Sequence, residues 1–195
     1  MAVKTKKVEV PDHELEHENK TVKIYRQQHP LDPLEHSSPV ILELSHGRYD
    51  LGDREANTEE HGGWEWVEKE IRDDHDVIAI KKVYLLDHGG LRISTTPFRS
   101  KWDSGKIGFA YVTEESLPDY TDSEYDRPDQ DKIRKWIDDR VKQYDQYLTG
   151  EVYRYEIEKD GEVIDQCAGF YGDPMNNEVL WEHVGDPRDK FKTVE

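Results

Sequence analysis

The sequence predicts an α+β fold: an antiparallel or mixed sheet of about six strands built on two hairpins, with a long helix packed on one face. Two turns, His88-Gly89-Gly90 and Asp160-Gly161, each separate a pair of apolar, β-prone runs. Between them Ile133, Trp136, Ile137, Val141, Tyr144 and Leu148 recur at the helical spacing of three and four.

Residues 1–20 are charged and aperiodic and read as a flexible arm; 21–195 read as a single α+β domain. A strand over 21–26 puts Val22 and Ile24 on one face, and the prolines at 30, 33 and 39 make 29–39 a loop. A more buried strand follows at 40–45. After Gly62-Gly63 a short helix carries the one-sided stripe Trp64, Val67 and Ile71. Strands at 83–87 and 91–95 flank the first turn. If Gly89 and Gly90 are its two loop residues, Leu86 faces Ile93 and Asp87 faces Arg92, an apolar pair on one side and an ion pair on the other. A strand at 108–113 leads into an acidic stretch, 114–127, that is mainly loop. Pro128 suits the first turn of the long helix, Asp129 and Asp131 complement its positive end, and Gly150 stops it. Asp131 with Lys135 and Asp138 with Lys142 are its supporting pairs. In the second hairpin, 151–159 and 162–170, the turn sets Ile157 opposite Ile164, Tyr153 opposite Ala168 and Glu156 opposite Asp165. Tyr153, Tyr155, Ile157, Ile164 and Phe170 then form one apolar face for the long helix, and a short helix follows around 179–183.

The chain has 44 Asp and Glu against 27 Lys and Arg, a formal net charge of -17. Such a surface repels phosphate backbones and anionic lipid, so neither direct nucleic-acid binding nor membrane association is expected. Adaptation to high salt, mimicry of nucleic acid and simple solubility all account for the acidity; its even spread along the chain favours the first. The single cysteine, Cys167, cannot make an internal disulfide, and its apolar neighbourhood suits a buried small hydrophobe better than a reactive thiol. The basic start is followed by Pro11, Asp12 and Glu14, unlike a signal peptide, and no run approaches the roughly 18 apolar residues of a membrane helix. A soluble protein of the cytoplasm is the expectation, with a monomer as the default.

Four segments, HGRYDLGD at 46–53, YLLDHGGLRISTTPF at 84–98, KWDSGKIGFAYVT at 101–113 and YDQYLTGEVYRYEIEKDGEVIDQCAGFYGD at 144–173, occur in an order that resembles a known family. It is an uncharacterised family of accessory proteins encoded by tailed phages, prophages and archaeal viruses. Members often carry tryptophan where this chain has Ala168 and arginine or a similar residue where it has Gly47, so neither position is read as catalytic. The resemblance implies a viral accessory gene and assigns no activity. Together with the charge it points to a virus of a salt-loving archaeon, or its host.

His46, Asp50, Asp53, Asp87 and His88 form the most enzyme-like set, because imidazoles and carboxylates at two strand ends could hold a divalent metal that activates water. Their spacing matches no established metal signature, and 49–53 also reads as a turn in which Gly52 takes a positive φ and the aspartates bond the backbone. The binding candidates are Trp102, Asp103, Ser104 and Tyr111; tryptophan supplies much contact area at small entropic cost. The stretch 101–106 ends in Gly-Lys but lacks the first glycine and the following Ser or Thr of a phosphate loop. Glu156 and Asp165 face each other as like charges, which a cation, an acid-base role or Arg154 could resolve. Tyr144, Tyr147, Tyr153, Tyr155 and Tyr171 suit a core better than a stacking site. The expected function is binding to a host or viral protein, with inhibition of a host defence or nucleic-acid-processing enzyme as the specific form. A metal-dependent hydrolase or nuclease and a minor virion component are the alternatives, and no cofactor is expected outside the metal reading.

Overall fold

The computed structural model describes residues 9–58, 62–100, 102–118 and 127–194. These form two compact units. The first unit takes the described residues of Met1–Leu31 and Gly150–Glu195, and the second those of Asp32–Thr149. Strands in chain order are β1 (His13–His17), β2 (Lys20–Arg26), β3 (Ile41–Leu44), β4 (Arg54–Glu55), β5 (Val77–Asp87), β6 (Leu91–Ser94), β7 (Ser104–Thr113), β8 (Val152–Lys159), β9 (Glu162–Tyr171) and β10 (Lys192–Thr193). The helices are α1 (Trp64–Asp74), α2 (Gln130–Leu148) and α3 (Glu178–Val184). The α+β class holds, with two five-stranded sheets among the described residues in place of one sheet of about six strands.

In the first unit the strand order is β10-β1-β2-β8-β9, antiparallel throughout. Leu15, Val22, Ile24, Tyr155 and Ile157 face Leu180, Trp181 and Val184 of α3. The expected arm is therefore strand over His13–His17; its residues 1–8 lie outside the described residues. Leu15 is the one residue of β1 that is fully buried, and a single apolar position among charged neighbours leaves no period to read. The second hairpin turns at Asp160-Gly161, both at positive φ, and Glu158 pairs with Val163 in the expected register. Register shifts between Ile157 and Glu158 and between Tyr153 and Arg154 then leave Ile164 and Gly169 as extra residues. Glu156 comes to face Gln166, not Asp165, and Ile164 is exposed, not part of the apolar face. Asp165 instead accepts the Tyr155 hydroxyl at 2.9 Å, and Glu156 accepts from Arg154 at 2.6 Å, so the like-charge pair does not exist. Cys167 is half-buried against this core.

In the second unit the order is β4-β3-β7-β5-β6, with β3 and β4 parallel and the other pairs antiparallel. The long helix α2 packs here, burying Ile133, Ile137, Val141 and Tyr144 with Leu42, Leu44, Val83, Leu85, Ala110 and Val112. The opposite face of the sheet, with Phe109 and Tyr111, is covered by Val67 and Ile71 of α1. Asp129 caps α2 through Lys132 N–H at 2.8 Å. Asp138 reaches the sheet, where it accepts from Lys81 at 2.6 Å and Thr95 at 2.7 Å, so its partner is not the Lys142 that helical spacing suggests. Of the expected loop at 114–127, residues 119–126 lie outside the described residues.

The first hairpin closes with three loop residues, His88-Gly89-Gly90, so Leu85 pairs with Ile93, Leu86 with Arg92 and Asp87 with Leu91. This slip of one residue exchanges the faces of the strand. Leu85 and Ile93 are the buried pair, and Arg92 turns to α2, where its guanidinium grips Asp145 at 2.9 to 3.1 Å. The Ile93 N–H donates to the same carboxylate at 2.8 Å.

Three tyrosines are locked into these cores. Burial pushes the Tyr144 phenol up to about 12. Burial, then hydrogen bonding to Glu43, raises Tyr111, and burial, then hydrogen bonding to Asp165, raises Tyr155. A phenol of the unfolded chain ionises near pH ~10. Between that value and the higher folded ones the unfolded state holds fewer protons, so the stability these groups contribute is complete below about pH 10 and is lost as pH rises. The expected result is a fall of the urea midpoint above about pH 10, with the phenolate absorbance of Tyr155 appearing as the first unit unfolds and that of Tyr111 and Tyr144 as the second does. A midpoint that stays level through this range would contradict it.

No helix among the described residues is long and apolar enough to cross a membrane.

Candidate functional site

Because β7 runs antiparallel to both β3 and β5, the C-terminal ends of β3 and β5 and the start of β7 lie at one end of the second unit's sheet. Three connections therefore meet there: the loop 45–53, the hairpin tip 88–90 and the described residues of 95–103, which lead into β7. Backbone bonds tie them, from Ser45 N–H to Ile107 carbonyl at 2.8 Å and from Asp87 N–H to Asp103 carbonyl at 2.8 Å. Gly52, at positive φ, lets loop 45–53 fold back under β3, where a Cβ would stand 2.7 Å from the Leu42 carbonyl oxygen.

The loops that carry the five metal candidates do converge, and their side chains are otherwise engaged. Asp53 works as a strand surrogate: its carboxylate accepts Leu42 N–H at 2.8 Å and its own N–H donates to Leu42 carbonyl at 2.7 Å. Asp87 is held by the Arg48 guanidinium, which spans from one loop to the other. His88 places Nδ1 3.2 Å from Asp103. His46 accepts Arg48 N–H at its Nδ1 and stacks on Tyr49 at 5.0 Å. Asp50 lines, with His46, Arg48 and Tyr49, an open depression of about 300 Å³. No group of three or more His, Cys, Asp or Glu side chains among the described residues is placed to hold a metal ion. Arg48, from the same loop as His46, Asp50 and Asp53, pairs with Asp87.

The binding candidates separate. Trp102 is 96 % exposed. It stands in a turn pinned behind it by Asp103, which joins both Asp87 and His88, and by the Ser104 hydroxyl donating to the Ser100 carbonyl. Asp103 and Ser104 thus shape the turn that presents the indole. Tyr111 is fully buried beneath α1, its hydroxyl donating to Glu43 at 2.8 Å, and is a core residue with no surface to offer. Its position follows from the register: Phe109 and Tyr111 alternate onto the α1 face of β7, while Ala110 and Val112 take the other. The Ser104-Gly105-Lys106 end of the supposed phosphate loop is the start of β7, and Lys106 holds its ammonium over the Trp64 and Phe109 rings at 5.5 and 5.1 Å. Lys101 lies outside the described residues.

Two residues that sequence reasoning passes over complete the surface. Arg48 lies over the Tyr49 ring at 5.5 Å, and the His46 imidazole stacks on the same ring at 5.0 Å. The available signal is a lone cation and a tyrosine inside a loop otherwise chosen for its carboxylates. The arrangement offers exposed aromatic area, one guanidinium and rim carboxylates on a hydrogen-bonded frame, the composition of a docking surface. No family model, no curated protein and no solved structure matches the chain.

Proposed function

We propose that this chain is a viral accessory protein that acts by binding another protein through the end of the second unit's sheet, with Trp102 as the anchor. The observation that carries the reading is an indole 96 % exposed beside Asp103, which the hairpin holds through Asp87 and His88, while Ser104 bonds back to Ser100. Tryptophan is among the most buried side chains on average, so an indole left almost wholly in solvent on a hydrogen-bonded turn offers a large apolar area for a partner to cover. The viral origin is supported by the likeness of 46–53, 84–98, 101–113 and 144–173 to phage and archaeal-virus accessory proteins. The charge of -17 suits a partner with a basic surface, such as the cleft of a host defence or nucleic-acid-processing enzyme, and a cell of high internal salt.

The test is capture from host lysate, at the host's salt, by the natural chain and by Trp102→Ala in parallel. One stoichiometric partner is expected, with an affinity lowered by about 2 kcal/mol in the variant, which is roughly thirtyfold. Equal retention by both proteins, or no specific partner for either, would sink the proposal. Because Trp102 supports no core, its removal leaves the unfolding midpoint in place.

A further inference from the structure

The first unit carries a second feature, unrelated to the Trp102 surface: a cavity of about 680 Å³. Its floor is one side of α3, where Glu178, Trp181 and Glu182 fall at spacings of three and one and so share a face. Met175 lines one wall, and Pro187 and Arg188 the other. Trp181 donates its indole N–H to the Pro174 carbonyl at 2.9 Å and packs on Phe191 at 5.4 Å, so that only an edge of the ring, with the residue 6 % exposed, borders the cavity. Met175, Trp181 and Pro187 thus make an apolar bed.

The charges around that bed are unequally satisfied. Asp186 on the rim is held by Lys20 at 2.9 Å and Lys190 at 3.0 Å. Glu178 and Glu182, one helical turn apart and exposed, meet no cation among the described residues, and like charges at this spacing repel. On a chain of net charge -17 they make the cavity mouth a place for a cation rather than for a phosphate or a carboxylate. Arg188 donates to the Phe191 carbonyl at 3.0 Å, while its Nε is buried and has no acceptor among the described residues. A small turn of the guanidinium would offer that proton to an oxygen entering the cavity. The three needs are therefore an apolar group for the bed, a cation for the two glutamates and a neutral acceptor for Arg188. A peptide carrying a basic side chain beside an apolar one supplies all three; a simple amine lacks the acceptor and a nucleotide brings the wrong charge.

We infer that the α3 cavity binds a peptide segment in which lysine or arginine neighbours an apolar residue, the apolar side chain on Trp181, the cation between Glu178 and Glu182, and a backbone carbonyl at Arg188. The test titrates the full chain with a capped tetrapeptide of alternating leucine and lysine, followed by amide NMR at the lowest salt that keeps the spectrum dispersed. Saturable shifts are expected at 175–188 and at the Trp181 indole N–H. The double variant Glu178→Gln, Glu182→Gln, which breaks no bond of the fold, should weaken binding about fivefold. Trp102→Ala should leave it unchanged, so that this site and the sheet-end surface succeed or fail separately. The inference is overturned if no saturable shift occurs, if the same peptide with glutamate in place of lysine binds equally well, or if the double variant binds as the natural chain does.

Discussion

Gly108→Ala is expected to destabilise the second unit by about 3 to 4 kcal/mol, the largest effect of any single methyl group in the described chain. Gly108 lies in the centre of β7, paired with Leu44 of β3 on one side and Val83 of β5 on the other. A Cβ at this position would stand 2.1 Å from the Glu43 carbonyl oxygen and 2.9 Å from the Leu44 Cα. Both are backbone atoms in the middle of a sheet, and neither can swing aside as the tip of a side chain would. The strand must separate from its neighbour or bend, and either movement disturbs Leu44 and Phe109 in the two cores. Gly105, three residues earlier in β7, meets nothing within 4 Å of its added Cβ. Gly105→Ala is therefore the control and should shift stability by no more than about 0.5 kcal/mol. Urea unfolding of both variants checks the pair; equal midpoints would show that β7 yields at Gly108 and that the close approach has no energetic weight.

The second large effect is expected at Asp145→Ala, at about 3 kcal/mol. Asp145 is 8 % exposed and bonds the Ile93 N–H and the Arg92 fork at once, so one carboxylate fastens α2 to the edge strand β6. Most of the loss comes from the Ile93 N–H, which sits in a buried bond and would have no acceptor. The Arg92 share is small because that side chain is half exposed and water replaces its partner. Asp145→Asn keeps an oxygen for Ile93 and gives up only the charge, so it should cost about 1 kcal/mol. Comparable losses in the two variants would mean that the ion pair, and not the backbone acceptor, is what holds β6.

How far these features are legible in the sequence depends on how local their causes are. α2 is readable because its caps and its apolar stripe lie within the helix, and the Asp160-Gly161 turn because its geometry needs only two residues. The His88-Gly89-Gly90 turn is readable as a turn but not in register, since two- and three-residue closures use the same glycines and the choice is made elsewhere, by Arg92 reaching Asp145. β1 and the first residues of β5 are lost for opposite reasons. β1 has one buried leucine among charges, and Val77–Asp87 opens with an apolar run that carries no alternation. Trp102 can be singled out from sequence because tryptophan in a Gly/Ser turn is conspicuous, whereas Tyr111 looks the same until the alternation of β7 decides which face is covered. Of the metal candidates, the sequence does not reveal that Asp87 is paired with Arg48, because that contact joins residues 39 positions apart.

The first unit is closed by the pairing of β2 with β8, Arg26 lying against Tyr153 and Lys20 against Lys159. Everything that makes up the second unit is threaded between these partners. As the chain leaves the ribosome, Leu15, Val22 and Ile24 are therefore made early and must wait for β8 and α3, while the second unit can complete its own sheet and helices in the interval. Until then the β1–β2 hairpin presents an uncovered apolar face and an unpaired edge. Its charged residues, Lys20, Lys23 and Arg26 on β2 and Glu14 and Glu16 on β1, then have a duty during biosynthesis that the finished structure conceals: keeping a waiting strand pair from joining the wrong neighbour.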